Sequence, residues 1–134
     1  MFDKEQIKRL KELLSQMGFG NEDIKSEMRY LKKHLENLPE EIILYRIISV
    51  DNKEDINTKL PGSHYSHSKK DLMSSHNFTT GYGEKKFLIT VKAKRNQIDF
   101  FSTLENNILY PNEQEITLKN KGKGVEITSI KEIK

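Results

Sequence analysis

The sequence predicts an α+β fold in which a helical hairpin precedes a strand-rich core. Residues 1–40 carry apolar side chains at helical spacing, whereas residues 41–134 change to short β-rich segments separated by turns. Because the helices come first and the strands later, the order favours α+β over alternating βαβ units. The 134 residues, 34% of them hydrophobic and 32% charged, are enough for a single domain with one modest core.

The first forty residues predict two amphipathic helices joined by a short turn. Asp3 is expected to cap the first helix, Gly18 and Gly20 to end it, and Asn21 to cap the second. Pro39 ends the second helix. The apolar stripes of the two helices comprise Ile7, Leu10, Leu13, Leu14 and Met17, and Ile24, Met28, Leu31, Leu35 and Leu38. We expect both stripes to pack into the core.

Five strands are expected in the remainder of the chain. They are Ile42–Val50, Phe87–Ala93, Gln97–Phe101, Glu113–Lys119 and Gly124–Ile133. The glycine-rich stretch 121–124 is expected to form a hairpin turn between the last two strands. The polar segment 51–83 is long for a loop, so it either contains a short helix over Lys69–Phe78 or has a function of its own.

Composition excludes several classes of protein. The chain has no Cys, so disulfides, thiolate nucleophiles and Cys-based zinc sites are excluded. No run of apolar residues is long enough to cross a membrane, and the charged beginning Met1–Glu5 predicts no signal peptide. The net charge of +3 is compatible with a phosphate-bearing ligand but is too small to indicate nucleic acid by itself.

Arg46 interrupts an otherwise apolar strand. The apolar residues of that strand are Ile42, Leu44, Ile48 and Val50 on the face of Arg46, and Ile43, Tyr45 and Ile47 on the other. A guanidinium among them needs an anion or a strong acceptor, and its rigid donor fork suits a phosphate or carboxylate. A structural salt bridge, or an Arg side chain reaching solvent at the end of the strand, is the alternative interpretation.

Two carboxylates, Glu113 and Glu115, share one face at the start of the expected fourth strand. Such a pair suits a reaction that builds a positive centre, such as an oxocarbenium-like ribosyl carbon. A solvated polar face is the alternative. The preceding Tyr110, which leads a Pro-Asn turn, could either pack inward or be presented to a partner.

A cluster of hydroxyl and imidazole side chains spans residues 63–68. His64 and His67, three residues apart, could in principle bind a metal, but the missing Cys and the absence of a nearby carboxylate pair argue against this, and we expect no metal. No Gly-x-Ser-x-Gly elbow supports a serine hydrolase. Ser66 and Ser68 could equally cap turns or hydrogen-bond the backbone.

The order of these features resembles the mono-ADP-ribosyltransferases of the Arg-Ser-Glu class. The matching segments are Leu44-Tyr45-Arg46, then Tyr65-Ser66-His67-Ser68, then Tyr110 to Leu118 with its Glu-x-Glu motif, and the resemblance covers roughly residues 40–134. It implies two small antiparallel sheets that form a cleft. Residues 41–134 would be the NAD-binding core, and the helical hairpin 1–40 would replace the larger helical region of longer members.

The resemblance also implies how NAD, the substrate, is held. Arg46 would bind the NAD phosphates, and Ser66, with Ser68 in a secondary role, would support the catalytic Glu and the ribose next to nicotinamide. Glu115 would bind the ribose 2′-hydroxyl and stabilise the oxocarbenium as nicotinamide leaves. Ser74 stays open as an alternative to Ser66 because it also lies between Arg46 and Glu115.

The acceptor side follows from the same resemblance. Glu113 would orient or deprotonate an incoming guanidinium, and Tyr110 matches the substrate-recognition aromatic of that loop. We therefore expect an NAD-dependent transferase that modifies a target protein on arginine and releases nicotinamide. The alternative is an inactive module of the same fold that binds a protein or a nucleic acid.

The expected setting is the cytoplasm of a bacterial cell. The Lys-, Asn- and Ile-rich composition is typical of an AT-rich bacterial or phage genome and fits a toxin or phage effector. No contact with a membrane is expected.

Overall fold

The computed structural model describes residues 2–74, 79–110 and 114–133. The helices are α1 (Lys4–Gln16), α2 (Asn21–Glu36), α3 (Lys69–Ser74) and α4 (Phe100–Leu109). The strands are β1 (Glu41–Val50), β2 (His64–Ser66), β3 (Thr79–Thr80), β4 (Lys85–Lys94), β5 (Glu115–Thr117) and β6 (Glu126–Ile133). The α+β prediction is therefore confirmed.

The N-terminal hairpin forms as its apolar periodicity predicts, but Met17 of the first stripe is 49% exposed and does not pack into the core. Asp3 caps α1 through a capping box, in which its carboxylate accepts from the Gln6 amide at 2.8 Å and the Gln6 side chain accepts from the Asp3 amide at 3.2 Å. The prediction for the second cap is wrong by one residue. Gly20, in an extended conformation, precedes α2, and Asn21 is already the first helical residue.

The strands form one sheet with the order β5-β2-β1-β4-β6, and the short β3 pairs in parallel with β1. β1 and β4 pair along ten residues, whereas β1 meets β2 at Tyr45 and Ser66 and meets β3 at Ile47 and Ile48. The expected pair of small sheets is corrected to this single sheet, because β1 contacts partners on both of its edges and joins the two halves.

Two local predictions are wrong, one at the start of a helix and one at a turn. Gln97–Phe101 is not a strand: a short turn, Arg95–Gln97, leads into α4, which Asp99 caps by accepting from the Ser102 amide at 3.0 Å. The stretch 121–124 does not join a hairpin, because β5 and β6 lie at opposite edges of the sheet. The helix predicted over Lys69–Phe78 is confirmed as α3 up to Ser74, and residues 75–78 lie outside the described part.

α4 covers the outer edge of β5. The Thr117 amide donates to the Thr103 hydroxyl at 2.9 Å, and the Asn107 side chain donates to the Glu115 carbonyl at 2.8 Å. The amide of Asp99 donates to the Thr117 carbonyl at 2.8 Å. These side-chain and main-chain contacts satisfy backbone groups that a further strand would otherwise bind.

The core lies mainly between α1, α2, α4 and one face of the sheet. A smaller cluster on the opposite face contains Ile47, Leu72 and Leu88, so β1 carries apolar residues on both faces as predicted. Ile43 departs from that pattern, since it is 40% exposed. Within the described ranges, the helices are all too short or too polar to span a bilayer.

Candidate active site

Three neighbouring strands carry the predicted residues Arg46, Ser66 and Glu115. Ser66, the last residue of β2, pairs directly with Glu115, the first residue of β5, and on its other side with Tyr45 of β1. Residues directly opposite each other in a sheet place their side chains on the same face. Ser66 and Glu115 therefore share one face, and Arg46, next to Tyr45, is on the adjacent strand.

The Glu115 carboxylate is buried and held by three donors. Its Oε2 accepts from the Asn106 amide at 2.6 Å, the Thr117 hydroxyl at 2.8 Å and the His64 imidazole at 3.0 Å. The residue as a whole is only 7% exposed. Because an ionised carboxylate only accepts hydrogen bonds, the Nδ1 of His64 carries the proton in this arrangement. The site is a fixed negative charge held by side chains from α4, β2 and β5.

Ser66 and Ser68 form a tight local turn before α3. The Ser66 hydroxyl donates to the Ser68 carbonyl at 3.2 Å and accepts from the Ser68 amide at 3.1 Å. The Ser68 hydroxyl in turn accepts from the Asp71 amide at 3.2 Å. Ser74, the alternative to Ser66, is an exposed residue at the end of α3, where its hydroxyl donates to the Asp71 carbonyl. Of the two serines, Ser66 is the one paired with Glu115.

Arg46 projects to the sheet face opposite Glu115. Its neighbours on β1, Leu44 and Ile48, pack into the main core, and its Nη1 donates to the His64 carbonyl at 2.8 Å. Burial lowers the pKa of the Arg46 guanidinium, while Tyr65 and Glu115 oppose this shift. The strands thus bring Arg46 close to Glu115, but they do not place the two side chains on the same face.

A glycine lies against the guanidinium. Gly62 has a φ of +128°, and a Cβ at this position would lie 2.5 Å from Cζ of Arg46. The amide of Gly62 donates to the Lys121 carbonyl at 2.9 Å, which ties this segment to the turn after β5. Only a residue without a side chain allows the backbone to approach Arg46 this closely.

Tyr65 fills the interior beside Arg46. It is 1% exposed, and Cζ of Arg46 lies 5.9 Å from the centre of its ring. Burial raises the pKa of Tyr65 to about 12, although Arg46 acts in the opposite direction. Within the described residues, the Tyr65 hydroxyl and the Arg46 Nε are buried without a hydrogen-bond partner. The phenol therefore stays neutral at physiological pH.

Tyr110 is the remaining predicted site residue that the structure describes. Tyr110 ends α4 and is 54% exposed, which leaves its ring available to a partner. Glu113 lies outside the described residues. Residues 2–74, 79–110 and 114–133 contain no group of three or more His, Asp or Glu side chains that could hold a metal.

Sequence reasoning missed the residues that surround Glu115. Asn106 belongs to α4, where the sequence predicted only a strand that ends at Phe101, and the contact of Thr117 with Glu115 depends on the pleat of β5. From the sequence, His64 stands out only as a candidate metal ligand. The alternation of His64 and Ser66 on one strand face was the one available signal that His64 belongs with Ser66 and Glu115.

No family model, curated protein or solved structure matches this chain.

A second polar network is built on Gln114, the residue that precedes Glu115 in the chain. The Gln114 side chain donates to the Asp71 carboxylate at 2.6 Å, so its oxygen faces His67, whose Nε2 lies 3.1 Å away. Since that oxygen can only accept, Nε2 of His67 carries the proton and Nδ1 keeps its lone pair. Burial lowers the pKa of His67, and His34 lowers it further.

The lowered pKa of His67 predicts a loss of stability in acid. Above pH about 6.5, the ordinary histidine value, the ring is neutral in both folded and unfolded chains. As the pH falls through the folded pKa, the unfolded chain binds more protons, so the free energy of unfolding decreases. His67→Gln, which can still donate to Gln114, should show a smaller decrease in urea midpoint between pH 7.5 and pH 5. Parallel decreases in the two proteins would contradict this assignment.

Proposed function

We propose that this chain is an NAD-dependent mono-ADP-ribosyltransferase that modifies a protein on arginine and releases nicotinamide. One observation carries the proposal: the three segments that resemble the Arg-Ser-Glu class lie on the adjacent strands β1, β2 and β5, with Ser66 directly opposite Glu115. The segments are distant in the sequence, and the resemblance requires that they become neighbours around one site.

The fixed charge at Glu115 suits the chemistry of this transfer. The bond between ribose C1′ and the nicotinamide nitrogen breaks, and its electron pair leaves with neutral nicotinamide. C1′ becomes positive, and a guanidinium nitrogen of the acceptor forms the new bond to it and gives up one proton to Glu113, the base that the resemblance implies. A carboxylate held by three donors needs little reorganisation to stabilise that charge as it develops.

Each other residue has a separate part in the proposal. Ser66 holds the turn that follows β2 beside Glu115, and His64 orients the Glu115 carboxylate. The resemblance assigns Arg46 to a phosphate of NAD, and in this structure its Nη1 donates to the His64 carbonyl. The proposed setting is the cytoplasm of a bacterial cell, with an arginine-bearing protein as the target.

A second candidate function is a binding module with the same strands but without transfer activity. The position of Arg46 favours it, since the guanidinium lies on the face opposite Glu115 and already donates to the His64 carbonyl. In such a module Arg46 is a structural residue at the junction of β1 and β2.

Calorimetric titration with NAD separates the two candidates. The transferase should bind NAD at micromolar to millimolar concentrations and should release nicotinamide slowly when no acceptor is present. The matched control is a titration with the same concentrations of nicotinamide alone. Absence of both NAD binding and nicotinamide release would overturn the transferase and leave the binding module.

A further inference from the structure

A surface groove of about 980 Å³ lies between the loop that follows β1 and the turn that precedes β6. Residues 58–60 form one wall, and residues 120, 121 and 123–125 form the other. The groove is open to solvent rather than enclosed. Small-molecule sites usually bury most of their ligand, which an open groove does not do. Its shape therefore favours part of a longer chain over a small molecule.

Hydrogen bonds hold both walls of the groove in place. The Asn57 side chain accepts from the amides of Lys59 and Leu60, at 3.1 Å each. The amide of Gly62 donates to the Lys121 carbonyl at 2.9 Å, which ties the two walls together. A site that is already ordered loses less conformational entropy on binding than one that a ligand must order.

The charges along the groove favour an acidic partner. Lys59, Lys121 and Lys123 line it, and all three are exposed. In the part of the chain that the structure describes, neither Asp nor Glu belongs to this lining. Since exposed charges are screened by salt, an acidic ligand should bind here more weakly as the ionic strength rises.

The surface between the lysines is apolar. Leu60 is 39% exposed, and Val125 is half-buried against the core. These side chains, together with the methylene groups of the lysines, gain free energy when an apolar group covers them. Nucleic acids bring phosphates, but their bases stack on aromatic rings, and among the described lining residues there is no aromatic one. A peptide can supply both carboxylates and apolar side chains.

We propose that this groove binds a peptide segment of a partner protein in which carboxylates flank apolar side chains. The carboxylates would contact the three lysines, and the apolar side chains would cover Leu60 and Val125. Among the described residues, those of the candidate active site do not line this groove. The inference is therefore independent of the proposed transfer reaction.

A fluorescein-labelled peptide in which leucine alternates with glutamate is the probe, and fluorescence anisotropy measures its affinity. Lys59→Gln combined with Lys123→Gln should weaken binding about tenfold, which corresponds to about 1.4 kcal/mol. Lys8→Gln combined with Lys11→Gln is the matched control, because it removes the same charge from exposed positions on α1. The control should bind the peptide like the wild type, and both variants should keep the wild-type melting temperature.

Leu60→Ser tests the apolar part of the groove. It should weaken the leucine-containing peptide about fivefold, because the leucine side chains lose a surface that they cover. A second peptide, with serine in place of leucine, should bind the wild type more weakly and should be unaffected by Leu60→Ser.

Three results would overturn the inference. Equal affinity of the Lys59 and Lys123 double variant and the wild type, or an equal loss in the Lys8 and Lys11 control, would remove the groove as the binding site. A serine-containing peptide that binds as tightly as the leucine-containing one would contradict the apolar contact. Single-stranded oligothymidylate that binds through the same lysines as tightly as the leucine-containing peptide would replace the peptide site by one for nucleic acid. Nicotinamide release, measured separately, tests only the transferase.

Discussion

Replacing Glu115 by glutamine should lower nicotinamide release and ADP-ribose transfer by at least about 100-fold, the usual effect of removing one electrostatic group from a reacting centre. The substitution removes the negative charge opposite the developing ribosyl cation. The fold should persist, because the glutamine oxygen can replace Oε2 as acceptor for Asn106, Thr117 and His64. Rates with labelled NAD and the melting temperature, measured on the same preparation, test both statements.

Glu105→Gln is the control for that experiment. Glu105 lies on α4 near Asn106 but faces Arg9 of α1, with 3.4 Å between the charged atoms. Its loss should leave the rate of transfer unchanged, since surface ion pairs contribute little. Transfer retained in Glu115→Gln at more than a tenth of the wild-type rate would remove Glu115 from the mechanism.

Replacing Gly62 by alanine should destabilise the protein by roughly 2–5 kcal/mol, since it combines backbone strain with overpacking. The added methyl group would meet the Arg46 guanidinium at 2.5–2.9 Å, and the positive φ of Gly62 is unfavourable for any residue with a side chain. Because Arg46 donates to the His64 carbonyl, its displacement should also disturb β2. Urea unfolding at neutral pH measures the loss.

Gly18→Ala separates the two causes. Gly18 also has a positive φ, of +95°, but an added Cβ would have nothing within 4 Å. Its substitution should cost only the dihedral strain, about 1–2 kcal/mol. If the two variants lose the same stability, the contact between Gly62 and Arg46 carries no energy.

The helices and long strands were predictable because their signals are local. Residues of α1 and α2 repeat with the helical period, and β1 and β4 are rich in apolar and β-branched residues. α4 was missed because its first residues, Phe100 and Phe101, are aromatic and resemble a strand. The single sheet was missed because strand pairing depends on contacts between distant residues, which no local pattern contains.

The candidate site was predictable in its members but not in its geometry. Arg46 and Glu115 stood out because each breaks the pattern of its own segment. Which face each side chain occupies depends on the register between β1, β2 and β5, and that register places Ser66 rather than Arg46 with Glu115. Asn106 reaches the carboxylate from another element, so no spacing in the sequence could indicate it.

The contacts of Thr103 and Asn107 with β5 bear on how the protein behaves at high concentration. A sheet that ends in bare strands can recruit further strands at both margins, which is one route to polymerisation. Here a helix already occupies one margin. At the opposite margin, β6, exposed charged residues such as Lys131 and Glu132 oppose the approach of another chain.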